Sequence, residues 1–117
     1  LTLAPLWEES MSFFRTNDLP ATEMLPGIFR RAVWLDDVML TIVDLKAHAV
    51  LPEHHHPHQQ ITYVVSGAME FNLDGETQLL QAGDGALIPP NTPHSAVVGD
   101  EPCRALDAWH PVRDDYR

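Results

Sequence analysis

A chain of 117 residues with 44% hydrophobic content has the size of one domain with a modest core, which excludes a fibrous or disordered class and leaves no room for a second module. Its 17 acidic against 7 basic residues give a formal net charge of −10, a balance that excludes nucleic acid and anionic membrane as partners. Cys103 is the only cysteine, so no disulfide can close within the chain; a reducing, cytoplasmic setting is expected, with Cys103 as a small buried strand residue.

Residues 1 to 27 hold Pro5, Pro20 and Pro26 and end on a Pro26-Gly27 turn signal, which predicts a mostly irregular arm with one short strand near Ser12 to Arg15. Leu1 to Ser10 precede Met11 and read as either a native extension or an added segment. No stretch approaches the ~20 apolar residues of a membrane span, and the N-terminus lacks the basic and apolar regions of a secretion signal. The domain proper is expected over 28–117. Ile28 to Leu35 and Val38 to Leu45 read as strands around an Asp36-Asp37 turn. Lys46 to Pro52 reads as a connector, and His48 within it as an ordinary loop imidazole.

Further on, Val64 to Leu73 and Thr77 to Gln81 predict a hairpin joined by Asp74-Gly75. Gly83, Asp84 and Gly85 turn the chain into Ala86 to Ile88, while Ser95 to Val98 and Cys103 to Trp109 make the last strands. No segment has a 3.6-residue apolar period. Short strands separated by turn residues indicate an all-β sandwich or barrel.

The chemistry concentrates in His54-His55-His56-Pro57-His58-Gln59-Gln60, just before an apolar strand. On an extended segment successive side chains alternate, so His54, His56 and His58 share one side. Imidazoles converging from one face suit a divalent transition metal such as zinc, nickel, iron, manganese or copper. Pro57 gives His58 a way to turn outward or to support a ligand from behind. Gln60 shares a face with Thr62 and Val64 and is either an amide-oxygen ligand or a polar rim residue. His94 follows Pro89, Pro90 and Pro93, which stiffen its loop and hold the imidazole with little further loss of chain entropy.

These residues resemble the two motifs of the cupin superfamily, H-x-H-x3-4-E-x6-G and G-x5-P-x-G-x2-H-x3-N. His54, His56 and Gly67 fall on the first, with Gln60 at the glutamate; Gly83, Pro89 and His94 fall on the second, with Asn91 at its second glycine and Val98 at its asparagine. The resemblance covers about residues 38 to 113 and implies a single-domain cupin jelly roll. Small cupins commonly dimerise, so it also implies a homodimer, with the arm packing on a partner.

Near the end, Asp107 and Trp109 share one face of the last strand, and Arg113 follows Pro111. From the residues alone a polar strand with a surface salt bridge would explain them. The ending is similar to that of KdgF-like cupins, which linearise 4,5-unsaturated uronates from pectin and alginate and close on Asp-x-aromatic-x3-Arg. That similarity implies metal ligands His54, His56, Gln60 and His94, and substrate or catalytic residues Asp107, Trp109 and Arg113. Trp109 stands where phenylalanine is more usual, and His110 is a departure. The expected function is therefore a non-redox lyase or isomerase-type enzyme with one divalent metal and a small anionic sugar acid as substrate. The alternatives are an iron dioxygenase, a polyketide-cyclase-like cupin, and a module that binds metal or sugar without turnover.

Overall fold

The structure, a computed structural model, describes residues 12–117, so expectations for residues 1–11 lie outside the described residues. The strands are β1 Thr22–Leu25, β2 Ile28–Trp34, β3 Met39–Leu45, β4 Val50–His54, β5 Gln59–Ser66, β6 Ala68–Leu73, β7 Glu76–Gln81, β8 Gly85–Ile88, β9 His94–Val98 and β10 Cys103–His110. They form an antiparallel six-stranded sheet in the order β1-β2-β3-β10-β5-β8 and a four-stranded sheet in the order β4-β9-β6-β7. The two sheets close on one core, which makes the all-β jelly roll that the motifs imply.

Alternation decides what each strand sends inward. Along β5, Gln60, Thr62 and Val64 are buried while Ile61, Tyr63 and Val65 are exposed; along β10, Cys103, Ala105, Asp107 and Trp109 are buried. Register then lines these residues up in rows across β3, β10 and β5. Val43, Ala105 and Val64 form an apolar row, Thr41, Asp107 and Thr62 a polar one, and Met39, Trp109 and Gln60 the row nearest the rim. Phe71, Val98 and Ile28 fill the apolar end of the core. The polar row is the transition from packed core to cavity.

Three expectations are corrected. The strand near Ser12 to Arg15 is absent, and a 3-10 turn at Thr16–Asp18 precedes β1 instead. β1 follows from the Pro26-Gly27 signal, because Gly27 at φ +78° closes a hairpin onto β2. The supposed connector runs into β4, Val50–His54, which among the described residues is an edge strand paired with β9 alone; its mostly exposed residues and Pro52 hide the strand pattern. Finally, Val64 to Leu73 is not continuous. Gly67 sits at φ +74°, where a Cβ would collide with the Pro102 carbonyl, and the chain there leaves one sheet for the other.

On the outer face, Asp44 of β3 joins its neighbouring strands. Arg104 of β10 donates from Nε at 2.6 Å and from Nη2 at 3.0 Å, and Arg31 of β2 donates from Nη1 at 3.0 Å. Arg31 also donates from Nε to the Leu19 carbonyl at 3.2 Å, which ties the arm to the sheet. The Arg104 hydrogen bonds hold the Asp44 carboxyl below its ordinary value, with Arg31 adding to the effect. A depressed carboxyl contributes stability that is present above the unfolded-state value of about pH 4 and lost as pH falls through the folded value. Asp44→Asn should therefore cost about 1 kcal/mol at pH 7, the group being partly exposed and screened. Thermal unfolding against pH should show the gap between variant and wild type narrowing below pH 4 or so.

Candidate metal centre

β4 ends on His54 and β9 begins on His94, and the two residues are direct partners in the register. Their rings lie 4.2 Å apart between centroids. His56, two residues past the end of β4, completes the group at 5.0 Å from His94 and 5.8 Å from His54. One nitrogen donor from each ring lies within 4.8 Å of the others. The loops are clasped by the Asn91 N–H, which donates to the His56 carbonyl at 2.7 Å. Asn91 adopts φ +59°, the left-handed conformation the motif's glycine would take, and asparagine tolerates it better than most residues.

Local backbone groups set the protonation of all three rings. His54 Nδ1–H donates to the Pro52 carbonyl at 2.9 Å, His56 Nδ1–H to the His58 carbonyl at 3.1 Å, and His94 Nδ1–H to the Thr92 carbonyl at 2.8 Å. A carbonyl only accepts, so each hydrogen sits on Nδ1 and each Nε2 keeps its lone pair. His94 Nε2 is buried with no partner among the described residues. His56 Nε2 faces Gln60 Oε1 at 2.9 Å, two acceptors pointed at one another. The amide cannot turn to relieve this without loss, because Gln60 Nε2 donates to Thr62 Oγ1 at 2.9 Å while Thr62 donates to Asp107 Oδ1 at 2.7 Å. Converging lone pairs with no hydrogen between them are the donor set that a divalent cation satisfies, so the residues present fit a metal.

Burial lowers the proton affinity of His56 and brings His94 down to about 4, so both lone pairs remain available at neutral pH. Behind the ligands, burial raises the Asp107 carboxyl, opposed by hydrogen bonds from Thr62, Gln60 and Thr41. Trp109 packs edge-on against His56 at 5.0 Å and donates from Nε1 to Thr41 Oγ1 at 3.0 Å. Phe71 stacks on His94 at 6.1 Å. Thr41 and Phe71 escaped the sequence reading, and Thr62 entered it only as a neighbour on the face of Gln60. Only the alternation along β3, β5 and β6 marks them as inward, and their meeting depends on register.

The other sequence candidates fare differently. His58 stays outside the three-imidazole group, supplying its carbonyl to His56 and packing edge-on at 5.7 Å. His110 is exposed on the outward side of β10, so it does not alter the cavity. His48 is exposed, at 3.3 Å from Asp100, and Cys103 is buried at 2% exposure. Arg113 is engaged within its own segment: Nε and Nη2 donate to Asp115 at 3.2 and 2.9 Å, and Nη1 donates to Tyr116 Oη at 3.0 Å. Its guanidinium also lies over the Trp109 ring, 4.9 Å from the centroid.

A two-sheet β-barrel with this histidine set at its mouth is a cupin, and residues 41–109 match the Cupin domain family; the chain belongs to that family. Within it, the chain is 32% identical to the pectin degradation protein KdgF of Dickeya dadantii (strain 3937), across 89% of this chain and 96% of that one. The solved structure of KdgF from a Halomonas species superposes with a TM-score of 0.85 at 36% identity, covering 92% of this chain and all of that one. The polyketide synthase CurC of Streptomyces cyaneus is 45% identical over 64 residues, 53% of this chain and 42% of that protein.

Metal-stripped protein titrated with zinc should take up one ion per chain, and excess ion should raise the melting temperature. Loss of an outer partner typically costs 10–100-fold in affinity, so His94→Ala, which removes a ligand, should cost more than about 100-fold. Calorimetry showing full affinity in that variant would remove the centre.

Proposed function

We propose that this cupin is a metal-dependent, non-redox enzyme that linearises 4,5-unsaturated uronates released from pectin or alginate. The observation that carries the reading is the chain of contacts from His56 through Gln60 and Thr62 to Asp107, which couples an acceptor-lined cation site to a buried acid. Similarity to KdgF proteins over nearly the whole chain supports the substrate class.

In this reading His54, His56, Gln60 and His94 hold one divalent ion. When bound, such an ion supplies Lewis acidity to a substrate oxygen on which charge builds. Opening the ring removes the proton of the anomeric hydroxyl and breaks the bond between the anomeric carbon and the ring oxygen. The enol left behind is protonated on carbon to give a ketone, so the sum is an isomerisation with no electron transfer. Asp107 carries the proton, since a buried carboxyl with raised proton affinity is suited to take it up and return it. Trp109 closes the wall over His56 and limits water, and Arg113 orients the sugar acid from the cavity's C-terminal side.

The same reading makes the protein a homodimer. The arm of residues 1–27 and the outer face of the six-stranded sheet are the surfaces assigned to it. Ile61, Tyr63, Val65 and Leu87 are exposed on that face, an uncharged patch on a chain of net charge −10 where two copies meet without like-charge repulsion.

Asp107→Asn should abolish consumption of unsaturated uronates while metal content stays at one ion per chain, and wild-type turnover should be undiminished under argon. Failure to consume these acids faster than buffer alone would end the assignment, and a strict need for dioxygen would transfer it to an oxidative cupin. Light scattering should show a dimer that Ile61→Glu with Tyr63→Glu converts to a monomer without loss of metal; a monomeric wild type would remove that part.

A further inference from the structure

The cavity beside the histidines holds a guanidinium that the reaction above does not use. Arg30 lies on the inward face of β2, in register with Val43, where a half-buried charge is costly unless something neutralises it. Among the described residues no carboxylate pairs with it. Its contacts are a long hydrogen bond of 3.4 Å from Nη2 to the Asp115 carbonyl and the ring of Tyr116, 4.3 Å from Cζ to the centroid. Arg113 packs on the same ring at 4.0 Å, but three of its nitrogens are taken up by Asp115 and Tyr116. Of the two guanidiniums, Arg30 is therefore the one whose fork is open.

Arg30, Arg113 and Tyr116 line one cavity of about 500 Å³ together with His54, Met24 and Leu51. The acids around it are already placed elsewhere. Glu23 accepts the Gly27 N–H at 3.1 Å, Asp115 belongs to Arg113, and Glu53 is exposed on the rim. An acidic rim repels anions, so an anion settles only against the guanidinium inside. Met24, Leu51 and the Tyr116 ring offer apolar contact to the rest of such a ligand.

We propose that Arg30 is a specificity-determining residue that receives the carboxylate of the sugar acid, in a subsite running from His54 to Tyr116. This rests on reading the site as one for a sugar acid. Arginine suits the task because its planar fork takes a carboxylate through two parallel hydrogen bonds, which lysine cannot reproduce. Beside it, Arg113 keeps the orienting role it has in that reading and holds Tyr116 and the C-terminal turn in place around the subsite.

The test is calorimetric titration of the zinc-loaded protein with D-galacturonate and with neutral D-galactose, neither of which carries the double bond that the proposed reaction needs. Wild type should prefer the acid, and Arg30→Gln should weaken galacturonate binding by about 10- to 100-fold without weakening galactose binding, the range expected for a charge-assisted pair. Zinc content and melting temperature should hold, and Arg30→Lys should recover part of the affinity. Unchanged galacturonate affinity in Arg30→Gln overturns the proposal, as does a wild type that binds both sugars alike, or a preference that only Arg113→Gln removes. If Arg30-dependent binding is found but unsaturated uronates are not consumed, the reaction falls and the subsite stands. Consumption with unchanged KM in Arg30→Gln gives the reverse.

Discussion

A carbonyl oxygen can only accept a hydrogen bond, and the site depends on three of them. Those of Pro52, His58 and Thr92 each take the Nδ1 hydrogen of an imidazole two residues away along the chain. Because each pairing spans two residues, the tautomer of every ring is set by its own segment and not by the pairing of the sheets. The fold then adds only convergence. It pairs His54 with His94 across β4 and β9, and the Asn91 N–H clasps the His56 loop against the second motif. Three lone pairs and an amide oxygen are thereby turned toward one point with no hydrogen to share, an arrangement that is costly until a cation occupies it.

Behind this cluster the electrostatics run against the character of the whole molecule. The chain has a net charge of −10, yet the donor set is neutral and Asp107 behind it is buried among hydroxyl and amide donors. Two guanidiniums, those of Arg30 and Arg113, line the adjoining cavity. Screening over ~8–10 Å at physiological salt separates the two scales, so an anion near the mouth responds to local cations more than to distant surface acids. A separate cavity of about 680 Å³ lies elsewhere, against Phe13, Phe14, Trp34 and Leu35. Its apolar lining offers no group for acid, base or metal chemistry.

How much of this was legible in the sequence differs from residue to residue. The spacing of His54 and His56 and the proline-stiffened His94 pointed to a shared site, because strand alternation and loop stiffness are local properties. Alternation also put Asp107 and Trp109 on one shared face, and the structure turns that face inward. It could not show that Thr41 and Thr62 flank Asp107 on both neighbouring strands, since register is fixed by tertiary pairing. Arg113 stood out through a terminal pattern, whereas its engagement with Asp115 and Tyr116 depends on how the C-terminal turn folds back. Arg30 falls on no motif and lies within the expected strand Ile28 to Leu35. Only the closed barrel shows that it points inward. The break at Gly67 was hidden by the apolar residues on both sides of it, and β4 by its exposure.

The position of β4 has one more consequence. A strand at a sheet margin leaves backbone donors and acceptors unpaired, which invites another polypeptide to add itself and seed aggregation. β4 is such a margin and carries His54 at its end. Pro52 offers no amide hydrogen to an incoming chain, and the exposed Glu53 beside it adds a charge that a stacked copy would have to oppose. The border next to the imidazoles is thus guarded against self-association by its own composition.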